Sequence, residues 1–382
     1  MATFVASFTP DGPGPRFAVK DCIDVEGVPT RCGSRALSDA PAAKQDAAAV
    51  ARMRASGFKL VGKTTLHELA FGVTGINDWA GTPINPLDAS RIPGGSSSGS
   101  AVAVANGEAE VALGTDTGGS VRIPAACCGV AGLKPTFGLV SRRGVSPAES
   151  TLDCIGPLAR DVDGIILAMK ALAPGFKEVD ASSPRIGRVR PAARPVIQQA
   201  IDAALRAAGI PIDEMTLPGM PAAFDAGLVI INRETFAAFG HLRASGLLGT
   251  DVAVRLGAAQ HATTEQADHA EKVRARFRAE VDDLLCRCDV LVLPTMPDFP
   301  PALQAVNSDR SAVDLTAMTR PFNLSGHPAL TLAIPSGTDL PAGLQLIGRH
   351  GDDALVCAIG RRLETAATVL HPKGSACKEF AT

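Results

Sequence analysis

The amino-acid sequence predicts an α/β fold in which helices and strands pack in layers. Short apolar, strand-like segments alternate with alanine-rich helical segments through about residue 140, and this alternation favours an α/β over an all-β architecture. The chain has 382 residues, of which 46% are hydrophobic and 20% are charged, so a large core can form. Because no internal repeat or low-complexity linker divides the sequence, we expect one domain over residues 1–382.

The first half of the chain carries this alternation most clearly. Residues 46–56 are alanine-rich, with Val50 and Met53 on one side and Gly57 as a C-terminal cap, which predicts a helix. Residues 1–15, with several prolines and glycines, should be irregular. The other elements predicted here are strands at 17–21, 58–61 and 111–113, a helix beginning over 66–71, a turn-rich segment at 72–86 and a helix at 100–105.

The second half follows a candidate boundary near residues 173–185. It contains apolar runs that end at proline, such as DVLVLP at 289–294, and longer stretches with helical periodicity. The predicted strands are 186–189, 210–215, 289–294, 330–334 and 344–347, and the predicted helices are 196–208, most of 222–285, and 353–367.

Composition excludes several kinds of partner and location. A net charge of −2 gives no reason to expect a nucleic acid or an anionic membrane as partner. No apolar run reaches the roughly 18 residues that span a bilayer, and the first residues lack the features of a secretory signal. The nine cysteines show no zinc-type spacing. We therefore expect a cytoplasmic protein with reduced thiols, no metal and no cofactor.

Two short segments fit the letters of known catalytic or nucleotide-binding signatures but lack the structural context that those signatures need. GFKLVGKT at 57–64 fits the P-loop pattern, but a predicted helix precedes it and its middle is strand-like, whereas a P-loop needs a strand before it and a loop inside it. GSSSG at 95–99 fits a nucleophile elbow and nominates Ser97. An elbow needs a buried strand before it, and the prolines of NPLDASRIP at 85–93 break strand pairing. An α/β-hydrolase-type esterase that uses Ser97 is kept as an alternative.

Two clusters of glycine and hydroxyl residues, 94–100 and 115–120, indicate the chemistry. Their side chains are too small to build a core. Glycines let backbone N–H groups approach a ligand closely, and serines supply nucleophiles or proton carriers. Such a site suits acyl transfer, in which hydrogen-bond donors must hold an oxyanion.

The sequences of these clusters, GGSSSGS at 94–100 and GTDTGGSVRIPAACCG at 114–129, resemble the signature of the amidase signature family of serine hydrolases. FAVKDCIDVEGVPT at 17–30 is similar to the lysine motif of that family. The resemblance implies a large mixed β-sheet covered by helices on both faces. It is dense over about 17–165 and weak over 166–285, and it recurs in LKPTFGLVSRRGV at 133–145, STLDCIGPLARDV at 150–162, FNLSGHPAL at 322–330 and GLQLIGR at 343–349.

Matched motif to motif, the resemblance implies a Ser–cis-Ser–Lys triad. Ser120 would be the nucleophile, Ser96 the bridging serine in a cis peptide, and Lys20 the base. A lysine can act as a base only when it is neutral, and burial among apolar groups would lower its pKa. The oxyanion hole would consist of the backbone amides of Thr117, Gly118, Gly119 and Ser120.

Plainer interpretations exist for the residues around this triad. Lys20 by itself could be a surface lysine, or it could pair with its neighbour Asp21. Ser97 and Ser98 are expected to form the turn rather than to react.

The second cluster also contains supporting residues. Thr115 and Asp116 are expected to order the loop, and Asp116 could tie to Arg122. For Arg122 we favour a structural role over contact with a substrate carboxylate. Cys127 and Cys128 are expected to pack in the core, since alanines adjoin them and no histidine is near.

The sequence thus predicts hydrolysis of a small-molecule amide to an acid and ammonia or an amine, through an acyl-enzyme on Ser120. A catalytically silent subunit that keeps the fold is the alternative from another class. The family commonly carries a longer helical segment before the lysine, so we expect an N-terminally short domain and leave a homodimer open. With no added domain for a channel partner or tRNA, a tRNA amidotransferase subunit fits less well. The pocket should be lined by residues 71–79, the region near Cys127 and parts of 166–320.

Overall fold

The computed structural model describes residues 3–306 and 314–370. Its strands in these ranges form one sheet. They are β1 (Phe4–Ser7), β2 (Arg16–Lys20), β3 (Lys59–Thr64), β4 (Val111–Asp116), β5 (Ala131–Lys134), β6 (Cys154–Ala159), β7 (Ile186–Val189), β8 (Ile212–Met215), β9 (Val290–Pro294), β10 (Ala329–Ile334) and β11 (Ala342–Ile347).

The helices lie between these strands along the chain. Those within the described ranges are α1 (Ala48–Ala55), α2 (Ser98–Ala105), α3 (Arg122–Cys128), α4 (Val162–Leu172), α5 (Pro195–Ala207), α6 (Met220–Phe239), α7 (Thr250–Ala259), α8 (Thr264–Leu285), α9 (Arg320–Ser325) and α10 (Asp353–Leu370). Short 3₁₀ turns lie at Arg35–Leu37, Glu68–Ala70, Gly240–Ser245 and Leu303–Ala305.

The sheet is mixed, with the strand order β1-β3-β2-β4-β6-β5-β10-β11-β9-β7-β8. Strand β2 runs parallel to both β3 and β4, and β7 runs parallel to both β8 and β9. The remaining pairs, such as β4 with β6, are antiparallel. This confirms the predicted α/β class and the large mixed sheet that the family resemblance implies.

Alternation along the strands explains why helices cover both faces. Successive strand residues point to opposite sides of a sheet. In β2, Phe17 and Val19 join a core with α1, α4, α5 and α10, whereas Ala18 joins a core with α2 and α3. In β9, Leu291 and Leu293 turn toward α6 and α8. Each face of the sheet is therefore buried beneath its own helices.

Three local predictions need correction. The segment 66–71 forms only the 3₁₀ turn Glu68–Ala70, because its amides bond to distant segments: the Leu69 amide donates to the Cys32 carbonyl at 2.8 Å. Residues Phe4–Ser7 are an edge strand rather than irregular chain, since they pair with β3. The helical stretch 222–285 is divided among α6, a 3₁₀ turn, α7 and α8.

The P-loop interpretation fails as expected. Helix α1 ends before Gly57, and most of the segment between the two glycines of the motif belongs to strand β3. The matching letters therefore mark a helix-to-strand junction with no loop to hold a phosphate.

Candidate active site

The parallel pairing of β2 and β4 builds the base of the candidate site. Val19 of β2 lies opposite Leu113 of β4, so both strands end at the same edge of the sheet. Lys20 is the last residue of β2, and Thr115 and Asp116 end β4. Ligands of α/β folds commonly bind at the carboxyl ends of parallel strands, and the two serine clusters lie at this edge.

Lys20 is fully buried and directed at hydroxyl groups. Its Nζ donates to Ser96 Oγ at 2.7 Å and to Thr115 Oγ1 at 2.8 Å. Burial lowers the pKa of Lys20, although the negative charges of Asp153 and Asp116 partly oppose this effect. The surface interpretation is therefore wrong, and so is the pairing with Asp21, which contacts Lys63 at 2.8 Å instead.

Ser96 follows a non-proline cis peptide bond between Gly95 and Ser96. Gly95 is packed so closely that a Cβ there would lie 2.7 Å from the Gly75 amide nitrogen, which explains the absence of a side chain. The Ser97 amide donates to the Ser120 carbonyl at 3.2 Å and so joins the two clusters. The fold thereby brings the predicted base, bridging serine and nucleophile into one region.

Ser120 is the last residue of the TDTGGS segment at 115–120, which begins in strand β4, and only 6% of its surface is exposed. Within residues 3–306 and 314–370, its hydroxyl has no hydrogen-bond partner. The amides of Thr117, Gly118 and Ser120 likewise lack an acceptor in the described part of the chain. The Gly119 amide requires a correction, because it donates to Asp116 Oδ1 at 2.8 Å. Three of the four predicted oxyanion donors are thus free.

A buried ion pair holds this loop in shape. Arg122 donates through Nε to Asp116 Oδ2 at 2.9 Å and through Nη2 to Asp116 Oδ1 at 2.8 Å. Asn323 and Gln345 accept from the same guanidinium at 2.6 and 2.7 Å. Burial alone would raise the Asp116 pKa, but the Arg122 charge, with hydrogen bonds from Arg122 and Asn323, holds it well below its ordinary value. Arg122 is fully buried, and these contacts agree with the structural role expected for it.

The residues expected to form turns are also buried. Ser97 Oγ contacts only the backbone of Thr115, at 3.3 Å, with no histidine or carboxylate among its contacts in the described residues. Ser98 Oγ is buried and has no partner there. Cys127 and Cys128 lie in the core, as expected. Nothing in this geometry equips Ser97 as the nucleophile of a serine–histidine pair.

Ser120 borders a small cavity of about 60 Å³. Phe71 and Ile231 contribute apolar surface, and Arg255 and Arg320 contribute positive charge. Of the predicted lining, residues 71–73 are confirmed and Cys127 is not, since it packs in the core. Ile76 and Trp79 line a neighbouring cavity of about 410 Å³, which Arg255 also borders.

The sequence does not indicate the individual contacts that four residues make around the site. Thr115 lies in strand β4 and contacts the Lys20 amine, whereas the sequence predicts only that it orders the loop. Thr319 Oγ1 donates to the Gly118 carbonyl at 2.8 Å. Arg255 and Arg320 line the cavity, so the predicted lining from parts of 166–320 is confirmed, although the sequence did not single out these two residues. Only the folded chain brings these residues beside Ser120.

The described residues contain no group of three or more His, Cys, Asp or Glu side chains placed to hold a metal ion. Among the same residues, none of the helices combines the length and apolar character needed to cross a bilayer.

Comparison with known proteins shows which family the chain resembles. The family model described as Amidase matches residues 14–357. The chain belongs to the amidase family. It is therefore an enzyme of a family that acts on carbon–nitrogen bonds, and the resemblance found in its motifs is confirmed.

Characterised relatives extend this similarity. The A-subunit of glutamyl-tRNA(Gln) amidotransferase from Halobacterium salinarum is 35% identical over 91% of this chain and 95% of its own length. The corresponding protein of Symbiobacterium thermophilum is 35% identical over 91% of this chain and 81% of its own length. The expectation that such subunits fit less well is not supported by these relatives.

Solved structures show the same fold. A crystal structure of an amidase superposes with a TM-score of 0.86 at 33% identity, covering 92% of this chain and 84% of that chain. The A-subunit of glutamyl-tRNA(Gln) amidotransferase from Thermotoga maritima gives a TM-score of 0.81 at 29% identity, covering 95% of this chain and 87% of that chain.

Proposed function

We propose that this amidase-family member hydrolyses a small-molecule carboxylic amide with Lys20 as base, Ser96 as proton bridge and Ser120 as nucleophile. The observation that supports it best is the contact between Lys20 Nζ and Ser96 Oγ at 2.7 Å in a fully buried setting. A buried lysine with a lowered pKa can be neutral and accept a proton, whereas an exposed one would stay charged. A scaffold that only held a fold would have no use for this arrangement.

The reaction would begin when Ser120 Oγ attacks the amide carbon. Its proton passes to Ser96, whose own proton passes to Lys20. The carbonyl oxygen becomes negatively charged, and the free amides of Thr117, Gly118 and Ser120 can donate to it. When the C–N bond breaks, the nitrogen leaves with a proton returned through Ser96. Water then attacks the acyl-Ser120 ester by the same proton route and releases the acid.

A second candidate function is that of an ammonia-supplying subunit. It is favoured by the relatives, which are named as A-subunits of glutamyl-tRNA(Gln) amidotransferase. Both candidates share the acyl-enzyme step and differ only in where the ammonia goes. A stand-alone amidase releases ammonia to solution without a partner, whereas an amidotransferase component would need its partner chain for full turnover.

Labelling with a fluorophosphonate followed by peptide mapping tests the nucleophile. We expect an adduct on Ser120 and none in Ser120→Ala, with Ser97→Ala as the matched control that still reacts. Labelling at Ser97 would favour the esterase alternative instead. No labelling of the folded protein would favour the silent subunit.

Ammonia release by the purified chain tests the fate of the product. A panel of primary amides, aryl amides, ureas and short esters should show amide turnover by the chain alone. If ammonia appears only after an amidotransferase partner is added, the second candidate is correct. Ser96→Ala should keep a trace of activity, because water can replace part of the proton bridge.

A further inference from the structure

Arg320 lines the cavity beside Ser120 and carries an unpaired hydrogen-bond donor. It begins helix α9, and only 4% of its surface is exposed. Its Nε has no hydrogen-bond partner among the described residues, and its Nη1 reaches only the Phe224 carbonyl, at a long 3.4 Å. The guanidinium lies over the Phe224 ring at 4.2 Å. A ring face attracts a cation but does not satisfy its N–H groups.

No carboxylate in the described residues forms an ion pair with Arg320. Burial lowers the pKa of Arg320 to about 9, the nearby charge of Arg255 acts in the same direction, and Asp225 and Asp314 offset this only in part. A buried charge is costly unless it is paired and hydrogen-bonded. Arg122 shows the contrast, since Asp116 binds its guanidinium with both oxygens. Arg320 therefore has no anionic partner among the described residues, and an anion bound beside it would stabilise its charge.

The chain makes room for Arg320 at this position. A Cβ on Gly227 of helix α6 would lie 2.9 Å from the Arg320 stem, so a side chain there would displace it. At Gly118 a Cβ would lie 3.7 Å from Arg320 Nε, which places the unpaired donor beside the loop that carries the free amides. Arg320 and Ser120 line the same cavity. A group bound to Arg320 would therefore lie close to an acyl group on Ser120.

Arg255 adds a second positive charge to this cavity. Its Nε pairs with Asp251 at 2.7 Å on helix α7. Its terminal nitrogens make no hydrogen bond to any residue in the described ranges. Arg255 borders both the cavity of Ser120 and the larger one beside it. No acidic side chain lines the cavity of Ser120 within these ranges, so the field there favours an anion.

We propose that Arg320 binds a carboxylate on the acyl part of the substrate, with Arg255 strengthening the positive field. This inference rests on the proposed amide hydrolysis and narrows its substrate class to amides whose acyl chain ends in a carboxylate, such as monoamides of short dicarboxylic acids. A planar guanidinium with a free edge matches the two oxygens of a carboxylate. The small cavity suits a short acyl chain.

A matched pair of substrates tests this inference in the wild-type protein. Succinamic acid and its methyl ester carry the same scissile amide and differ in the distal charge. We expect kcat/KM for the acid to exceed that for the ester by about 30-fold, the effect of one or two hydrogen bonds to a charged group. In Arg320→Gln this ratio should fall to near one. In Arg194→Gln the ratio should stay at the wild-type value, because Arg194 also lies over a phenylalanine ring, Phe299, but lines neither cavity.

Equal kcat/KM for the acid and the ester in the wild-type protein would overturn the inference, as would an unchanged ratio in Arg320→Gln. If Arg320→Gln fails to fold, Arg320→Lys keeps the charge but loses the planar edge, and its ratio should drop by about tenfold. If no amide is hydrolysed at all, the proposed function fails, yet calorimetry of Ser120→Ala with succinate and with monomethyl succinate still decides the inference. Succinate should bind more tightly, and equal binding would refute the role of Arg320.

Discussion

Thr115 Oγ1 accepts a hydrogen bond from Lys20 Nζ at 2.8 Å. The amine is thus held from strand β4 while it contacts Ser96 Oγ at 2.7 Å. A neutral amine has two N–H donors and one lone pair. If one N–H is engaged by Thr115, the lone pair can turn toward Ser96, where the proton must arrive. Thr115 therefore acts as a positioning residue for the proposed base.

Replacing Thr115 with valine should reduce kcat by about tenfold and leave KM nearly unchanged, because one hydrogen bond that orients the base is lost. The ascending limb of the pH profile should also move to lower pH, since the Thr115 oxygen stabilises the ammonium form. Steady-state kinetics over pH measures both effects. Thr115→Ser should restore them, and a valine variant with wild-type kcat would exclude the positioning role.

The pH dependence of kcat/KM should follow the titration of Lys20. The protonated amine cannot accept a proton, so activity rises as pH passes through the Lys20 pKa. Burial places that pKa below the ordinary value of 10.5. Lys20→Ala should lower kcat by about 100- to 10,000-fold and remove the ascending limb.

The buried Lys63 provides the control for this experiment. It pairs with Asp21 at 2.8 Å, so Lys63→Met should lower stability but keep the ascending limb in the fraction that folds. A pH profile that is unchanged in Lys20→Ala would show that another group is the base.

The structure brings Lys20, Ser96 and Ser120, the three residues selected from the sequence motifs, together near the ends of β2 and β4. Their roles stay predictions. Ser96 and Ser120 could be found because each lies in a short stretch rich in glycine and hydroxyl residues, and Lys20 because FAVKDCIDVEGVPT at 17–30 resembles the lysine motif of the family. The fold class followed from the alternation of apolar segments, which depends only on neighbouring residues.

The remaining features depend on contacts that are remote along the chain. The family resemblance predicts that the Gly119 amide belongs to the oxyanion hole, but this amide donates a hydrogen bond to Asp116 Oδ1 instead. Arg320 lines the same cavity as Ser120, although it lies 200 positions later in the chain. The helix expected over 66–71 gave way to bonds with residues such as Cys32. No local sequence pattern specifies to which remote acceptor a given backbone amide will donate its hydrogen bond.

Removing Asp116 should cost about 3–5 kcal/mol of the free energy of unfolding, because Arg122 would be left buried without its charge partner. Asp116→Ala tests this by denaturant unfolding. The control is Asp352→Ala, which breaks a partly exposed pair with Arg349 at 3.2 Å and should cost less than about 1 kcal/mol. The double variant Asp116→Ala/Arg122→Met should recover part of the loss.

The pH dependence of the stability that the Asp116–Arg122 pair contributes can also be measured. The folded-state pKa of Asp116 is held below its ordinary value of 3.8. Its contribution to stability is therefore fully present above that ordinary value and is lost as pH falls toward the folded-state pKa. The difference in unfolding free energy between wild type and Asp116→Ala should be equal at pH 6 and pH 8. A difference that shrinks between pH 8 and 6 would contradict the assignment.

Thr319 fixes the peptide between Gly118 and Gly119 from the side opposite to Asp116. Its hydroxyl donates to the Gly118 carbonyl at 2.8 Å, while the Gly119 amide donates to Asp116 at 2.8 Å. With both ends of this peptide held, the flanking amides of Gly118 and Ser120 have fixed directions. Gly119 itself has φ of +126°, and a Cβ there would overlap Thr319, so no other residue fits.

Thr319→Val keeps the volume of the side chain but removes its donor, so the proposed oxyanion donors lose their alignment. We expect kcat to fall by about tenfold or more with little change in KM, because the oxyanion exists only in the transition state and intermediate. Thr319→Ser keeps the hydroxyl and should retain most of the activity. If Thr319→Val instead raised KM at constant kcat, Thr319 would support substrate binding and not the oxyanion, and the proposed donors would have to lie elsewhere.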